Sequence, residues 1–179
     1  MEKSEHKGFL QFIKFVAVSA LAGIIQLILA NVLPLLFDSV RTTIPPFLQG
    51  IFVPERLFTK EADFAKYVVD GVVTWGYVLP FFLSNIIANI YGYFQNRKTT
   101  FKSDAPPINF VIYFVLLLVL ILFSTWLQGV IVGWLNASPA EVIRTFSRTI
   151  AAAAAGTLQF AVLFPLEKFV LLKERKQKE

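Results

Sequence analysis

The chain has 179 residues, 56% of them hydrophobic and 16% charged, with 17 Lys and Arg against 12 Asp and Glu. The apolar share exceeds the ~45–50% of soluble domains and the charged share falls below their ~25%, which excludes a disordered chain and an ordinary water-soluble domain. The absence of cysteine excludes disulfides, thiolate metal sites and thiol catalysis, and a single histidine, His6, leaves neither a histidine metal cluster nor a His-based triad.

The charge-free intervals set the expected elements. Residues 15–37, 71–96, 105–140 and 149–166 carry no Asp, Glu, Lys or Arg. About 20 apolar residues in a helix cross ~30 Å of hydrocarbon. The reading is therefore an all-α integral membrane protein of a single domain, with spans at about 12–37, 71–95, 108–135 and 146–171. The first span is too long for the apolar region of a cleaved signal peptide. Between the first two spans, residues 38–70 form a loop with turn signals at Pro45-Pro46, Gly50 and Pro54, yet with apolar Ile44, Phe47, Leu48, Ile51, Phe52 and Val53. It is expected to lie on the membrane surface or fold back over the bundle, with residues 60–70 as a helical lead-in to the second span. Pro80 should kink that span. Ser103-Asp104 and Pro106-Pro107 mark the break before the third. Ser138-Pro139-Ala140-Glu141 reads as a capping box opening the fourth. Along it, Ala151–Gly156 offers a surface that lets another helix approach closely, and Pro165 should kink its far end.

Orientation follows from Lys and Arg. Eleven lie at the termini and in the 95–109 loop, and six in the other two loops. Positive-inside reasoning places both termini in the cytoplasm and the 38–70 loop outside. In so apolar a chain the net charge of +5 reads as membrane orientation, not as a nucleic-acid footprint, so the expected localisation is the cytoplasmic membrane.

No acid falls in the central part of any of these intervals, which argues against proton-driven exchange and hence against a small multidrug exporter. What remains is amide and hydroxyl chemistry: Asn85, Asn89 and Asn96 near one face of the second span with Gly92; Gln26 and Asn31 on the first; Ser124, Thr125 and Gln128 on the third; Thr157 and Gln159 on the fourth. Such groups either bond helix to helix or line a path for a hydroxyl-rich cargo, because an amide both donates and accepts. At the end of the second span stands Asn96-Arg97-Lys98-Thr99-Thr100-Phe101-Lys102, with Lys14 and Lys168 expected at similar depth. Arg97 offers a fork that grips phosphate bidentately, and the lysines add point charges; ordinary interfacial anchoring is the plainer reading. Arg144 and Arg148, one turn apart at the other end, either anchor at the interface, pair with Glu141, or receive a phosphate.

At these residues the chain resembles the GtrA-like family of small four-span proteins. That family opens its first helix with Phe-x-Lys/Arg-Phe, here Phe12-Ile13-Lys14-Phe15. It ends its second with a pattern like Asn-Phe-x-x-Asn-Arg-x-Trp-Thr-Phe, here Gly92-Tyr93-Phe94-Gln95-Asn96-Arg97-Lys98-Thr99-Thr100-Phe101. The Asn-Arg pair and the closing Thr-Phe match; Gly92 and Thr99 stand where the family often has Asn and Trp. Glu167-Lys168-Phe169 partly echoes the end of the family's second hairpin, as two parallel-repeat hairpins would produce. The resemblance implies a flippase that carries polyprenyl-phosphate-linked sugars across the membrane for polysaccharide or teichoic acid glycosylation, working with a membrane glycosyltransferase. The competing role is a non-transporting anchor that recruits such a transferase. Neither needs a cofactor or metal, no nucleophile with an adjacent base suggests an enzyme, and four helices enclose so little polar volume that self-association is a further expectation.

Overall fold

The computed structural model describes residues 2–58 and 60–173, with side chains from residue 8 onward except at 59. His6, Lys3, Lys7, Arg175, Lys176 and Lys178 lie outside the described side chains. Among the described residues, seven α-helices and one small hairpin follow in order: α1 (Glu2–Val32), α2 (Pro46–Gln49), α3 (Pro54–Leu57), α4 (Glu61–Tyr67), β1 (Val68–Val69), β2 (Val72–Val73), α5 (Trp75–Gln95), α6 (Pro107–Asn136) and α7 (Glu141–Pro165). Four helical stretches are long and apolar enough to cross a membrane: Gly8–Leu35, Trp75–Thr100, Pro107–Asn136 and Glu141–Leu171. Their apolar side chains face outward as a belt that includes Ile24, Leu27, Val115, Val119, Phe146 and Val162, as a lipid-facing surface requires, and the whole is consistent with a multi-pass membrane protein.

Two clusters form the core. At one end of the bundle, Phe15 of α1 meets Phe160 and Phe164 of α7 edge-on at 5.1 and 5.0 Å, with Phe101 beside them. Tyr93 and Tyr113 pack at 4.5 Å between α5 and α6. Ser103 Oγ donates to the Lys173 carbonyl at 2.7 Å. Residues near both ends of the described chain and the 101–106 loop therefore share this terminal end. At the opposite, loop end, Ile44, Leu48, Phe52, Phe58, Val73 and Val78 form the second cluster, against Phe81, Phe82 and Leu122. The oily 38–70 segment thus folds back over the bundle, where its apolar side chains leave water.

Two local expectations change. Residues 60–70 are not helical throughout: α4 ends at Tyr67 and an antiparallel hairpin follows, Val68 opposite Val73 and Val69 opposite Val72. Asp70 (φ 51°) and Gly71 (φ 76°) at its tip take the two positive φ angles of a type I′ turn, which Asp-Gly favours. Residues 71–74 therefore belong to this hairpin and its exit, and the second span starts at Trp75. Thr43 pairs with Thr74, and the Trp75 N–H donates to the Thr42 carbonyl at 2.8 Å, fastening the outer segment to the start of α5. The second change is at α7. Ala140, not Ser138, occupies the capping position. Ser138 Oγ accepts the Ala140 N–H at 3.3 Å while its carbonyl accepts from Arg144 at 3.2 Å, so the motif organises the turn before the helix.

Of the Ala151–Gly156 run, Ala151 and Ala155 are buried, together with Ser147 one turn earlier, and α7 packs chiefly on α6; small side chains at four-residue spacing allow that approach. Pro165 closes α7, and the chain passes directly into a π-helical turn over Leu166–Leu171.

Candidate functional site

The interior polar residues line three cavities that succeed one another along the bundle. The first, about 180 Å³ and nearest the terminal end, is bounded by Asn96, Glu167, Asn89, Gln159 and Gln26. The second, about 360 Å³, shares Gln26 and Gln159 and adds Asn85, Ser124, Thr125 and Gln128. The third, about 130 Å³ at the loop end, shares Thr125 and Gln128 and adds Arg56, Tyr77 and Arg148. Each is roomy enough for several waters. Neighbouring cavities share lining residues, so polar groups of all four long helices are set in a row along the bundle, a polar track of adjacent spaces.

The amides are positioned by their own helices. Asn85 Nδ2 donates to the Phe81 carbonyl at 2.8 Å and Asn89 Nδ2 to the Asn85 carbonyl at 2.9 Å. These are i−4 bonds that hold each side chain along α5. Asn85 Oδ1 then accepts Gln26 Nε2 at 2.9 Å, linking α5 to α1. Gly92 keeps this pair of helices close, its Cβ position lying 3.7 Å from Ala22 Cβ. Ser124 Oγ is buried with no hydrogen-bond partner among the described residues, although it borders the middle cavity. A buried hydroxyl costs free energy unless something in that cavity satisfies it. Asn31 (to the Leu27 carbonyl) and Thr157 (to the Ala153 carbonyl) are exposed and bond within their own helices.

The terminal end differs from the sequence-based picture. Asn96 is buried and donates to Glu167 Oε2 at 2.9 Å, while its Oδ1 accepts from Thr100 at 3.0 Å. Glu167 is itself only 2% exposed. The expectation that the spans hold no interior carboxylate is therefore corrected at this position. Glu167 ends a charge-free interval in the sequence, but the π turn in which it sits carries it inward. Arg97 is half-buried and turned away from the track. Its Nη2 donates to the Ala105 carbonyl at 2.7 Å and its Nε to the Ser103 carbonyl at 3.4 Å. The loop doubles back at Lys102 (φ 48°) and leaves carbonyls that a guanidinium can satisfy. Lys98 and Lys14 are exposed, and Lys168 Nζ lies 5.3 Å from the Phe164 and Phe169 rings. None of these four cations borders a cavity of the track. The structure thus gathers Asn85, Asn89, Asn96, Gln26 and Gln128 and leaves Arg97, Lys98, Lys14 and Lys168 around the terminal rim.

At the loop end Arg148 reaches the third cavity, whereas Arg144 is exposed and held by the Ser138 carbonyl. Sequence reasoning missed Arg56. Its only signal was a cation, next to Glu55, in an otherwise apolar stretch from Phe52 to Phe58. Among the described residues, no group of three His, Cys, Asp or Glu is placed to hold a metal ion. Compared with family models, curated proteins and solved structures, the chain matches none.

Proposed function

We propose that this protein is a GtrA-like flippase that moves a polyprenyl-phosphate-linked sugar between the leaflets of the cytoplasmic membrane. The carrying observation is the amide-lined track through the bundle, from Asn96 at one end to Gln128 at the other. An amide donates and accepts, so a line of them can exchange hydrogen bonds with successive sugar hydroxyls, while the polyprenyl chain stays in lipid along the apolar helix faces. Positive-inside reasoning favours a cytoplasmic terminal end, where rim cations Arg97, Lys98, Lys14 and Lys168 would draw an anionic lipid to the entrance.

The two-hairpin reading has support in the way α5 and α7 finish. Both pass into a π turn, closed by the Phe101 N–H on the Asn96 carbonyl (2.9 Å) and the Leu172 N–H on the Glu167 carbonyl (2.7 Å). The residues that accept these bonds, Asn96 and Glu167, are the two that bond to each other. Equivalent positions meeting near an axis between hairpins is what a parallel repeat gives.

The test is leaflet-resolved movement of a polyprenyl-phosphate hexose in vesicles holding the purified chain. The wild type is expected to equilibrate the lipid without a proton gradient. Gln26→Leu and Asn85→Leu should each slow it at least ~10-fold, equivalent to about 1.4 kcal/mol, with insertion unchanged. Labelled lipid that stays on its original leaflet would instead favour the transferase-recruiting anchor. Movement that requires a pH gradient and is lost in Glu167→Gln would favour an exchanger.

A further inference from the structure

We propose that Arg56 and Arg148 form a binding site for a phosphate group at the loop end of the bundle. The two guanidinium groups come from different elements, α3 and α7, and line one cavity of about 130 Å³ with Gln128, Thr125 and Tyr77. No carboxylate lines it. Neither arginine has a hydrogen-bond or ion-pair partner among the described residues. Of the other described cations of the loop-end segments, Arg41 is engaged with the Ala65 and Lys66 carbonyls, Lys66 with Asp38 at 2.6 Å and Arg144 with the Ser138 carbonyl, while Lys60 is exposed and does not line the cavity.

Arg56 is also held in place. Its stem crosses α6 where two glycines a turn apart leave room, Cδ lying 3.4 Å from the Cβ position of Gly129 and Nε 3.7 Å from that of Gly133. A packed stem presents a pre-oriented head. Phe52, 1% exposed, and Phe81 wall the cavity, and apolar walls strengthen any charge interaction within it. Two half-buried like charges are unfavourable alone, whereas a phosphate oxygen pair meets each planar fork bidentately. Gln128, also without a hydrogen-bond partner among the described residues, supplies a neutral donor. The site does not depend on the transport reading, because its ligand is the phosphate group itself, on a lipid headgroup or free.

The experiment uses the full chain in phosphatidylcholine nanodiscs. Calorimetric titration with inorganic pyrophosphate forms one arm, and competition by a short-chain polyprenyl monophosphate in the disc forms the other. At least one probe is expected to bind, with Arg56→Gln and Arg148→Gln each weakening it ~10-fold or more, Arg→Lys changes restoring part, and Arg144→Gln without effect. The arm that binds names the source. If a glutamine variant does not insert, Gly129→Leu, which displaces the Arg56 stem and keeps its charge, carries the same expectation. No binding of either probe to the wild type at millimolar concentration, or unchanged binding in the double variant, would overturn the site. Binding without flipping would remove the transport reading alone, and flipping without binding would remove the site alone.

Discussion

At the scale of single residues, the most constrained glycine is Gly76. A Cβ there would lie 2.5 Å from the Val40 carbonyl oxygen and 3.1 Å from that of Phe37. Both neighbours are backbone, so neither can rotate aside. Gly76→Ala is expected to destabilise the fold by about 1–3 kcal/mol, the usual range for overpacking, seen as a lower midpoint of unfolding in detergent; an unchanged midpoint would mean the outer segment is not seated there. Asn96 and Glu167 illustrate a different lesson. The asparagine stripe on α5 was visible from spacing alone, but the partner of Asn96 lies 71 residues away in a π turn. No local pattern reports that contact. The buried carboxylate therefore emerged only when the two helix ends met.

At the scale of elements, the ends of α5 and α7 are organised by backbone contacts. Arg97 holds the Ser103 and Ala105 carbonyls, Ser103 reaches Lys173, and Asn109 Nδ2 donates to the Leu171 carbonyl at 2.6 Å. Such a loop depends on side chains for its carbonyl partners. Arg97→Ala is expected to raise hydrogen exchange over 101–105 at least ~10-fold while α5 and α6 exchange as before. Unaltered exchange in the loop would return Arg97 to the role of a free phosphate ligand. The same logic explains the hairpin between α4 and α5. Asp70-Gly71 flanked by Val68-Val69 and Val72-Val73 is a strong turn signal between β-branched residues, but beside a long apolar run it reads as the start of the helix.

At the scale of the whole molecule, the absence of cysteine makes any introduced cysteine unique. Gln159→Cys, in the track, should react with a water-soluble maleimide in membranes, and Val119→Cys, 59% exposed on the belt, should not. In intact cells Glu55→Cys at the loop end should label, and Lys98→Cys should label only after permeabilisation. Equal reactivity of Gln159→Cys and Val119→Cys would mean the track is dry or the belt is wet. Reversed labelling of the two ends would invert the orientation.

Length and apolarity determined that four helices can cross a membrane, because an unpaired backbone in hydrocarbon is too costly for almost any other arrangement. They also placed the amides on the helix faces where the track runs, since helical spacing alone groups residues four and seven apart. Which cations border that track was decided only by the tertiary structure. Arg97 meets carbonyls of a loop whose path depends on the α7 end, and Arg56 reaches the bundle because the outer segment folds back onto Gly129 and Gly133. Glu167 turns inward because α7 finishes in a π turn against Asn96. These are contacts between segments far apart in the chain, and their geometry follows from how whole helices and loops pack, which no short stretch of sequence records.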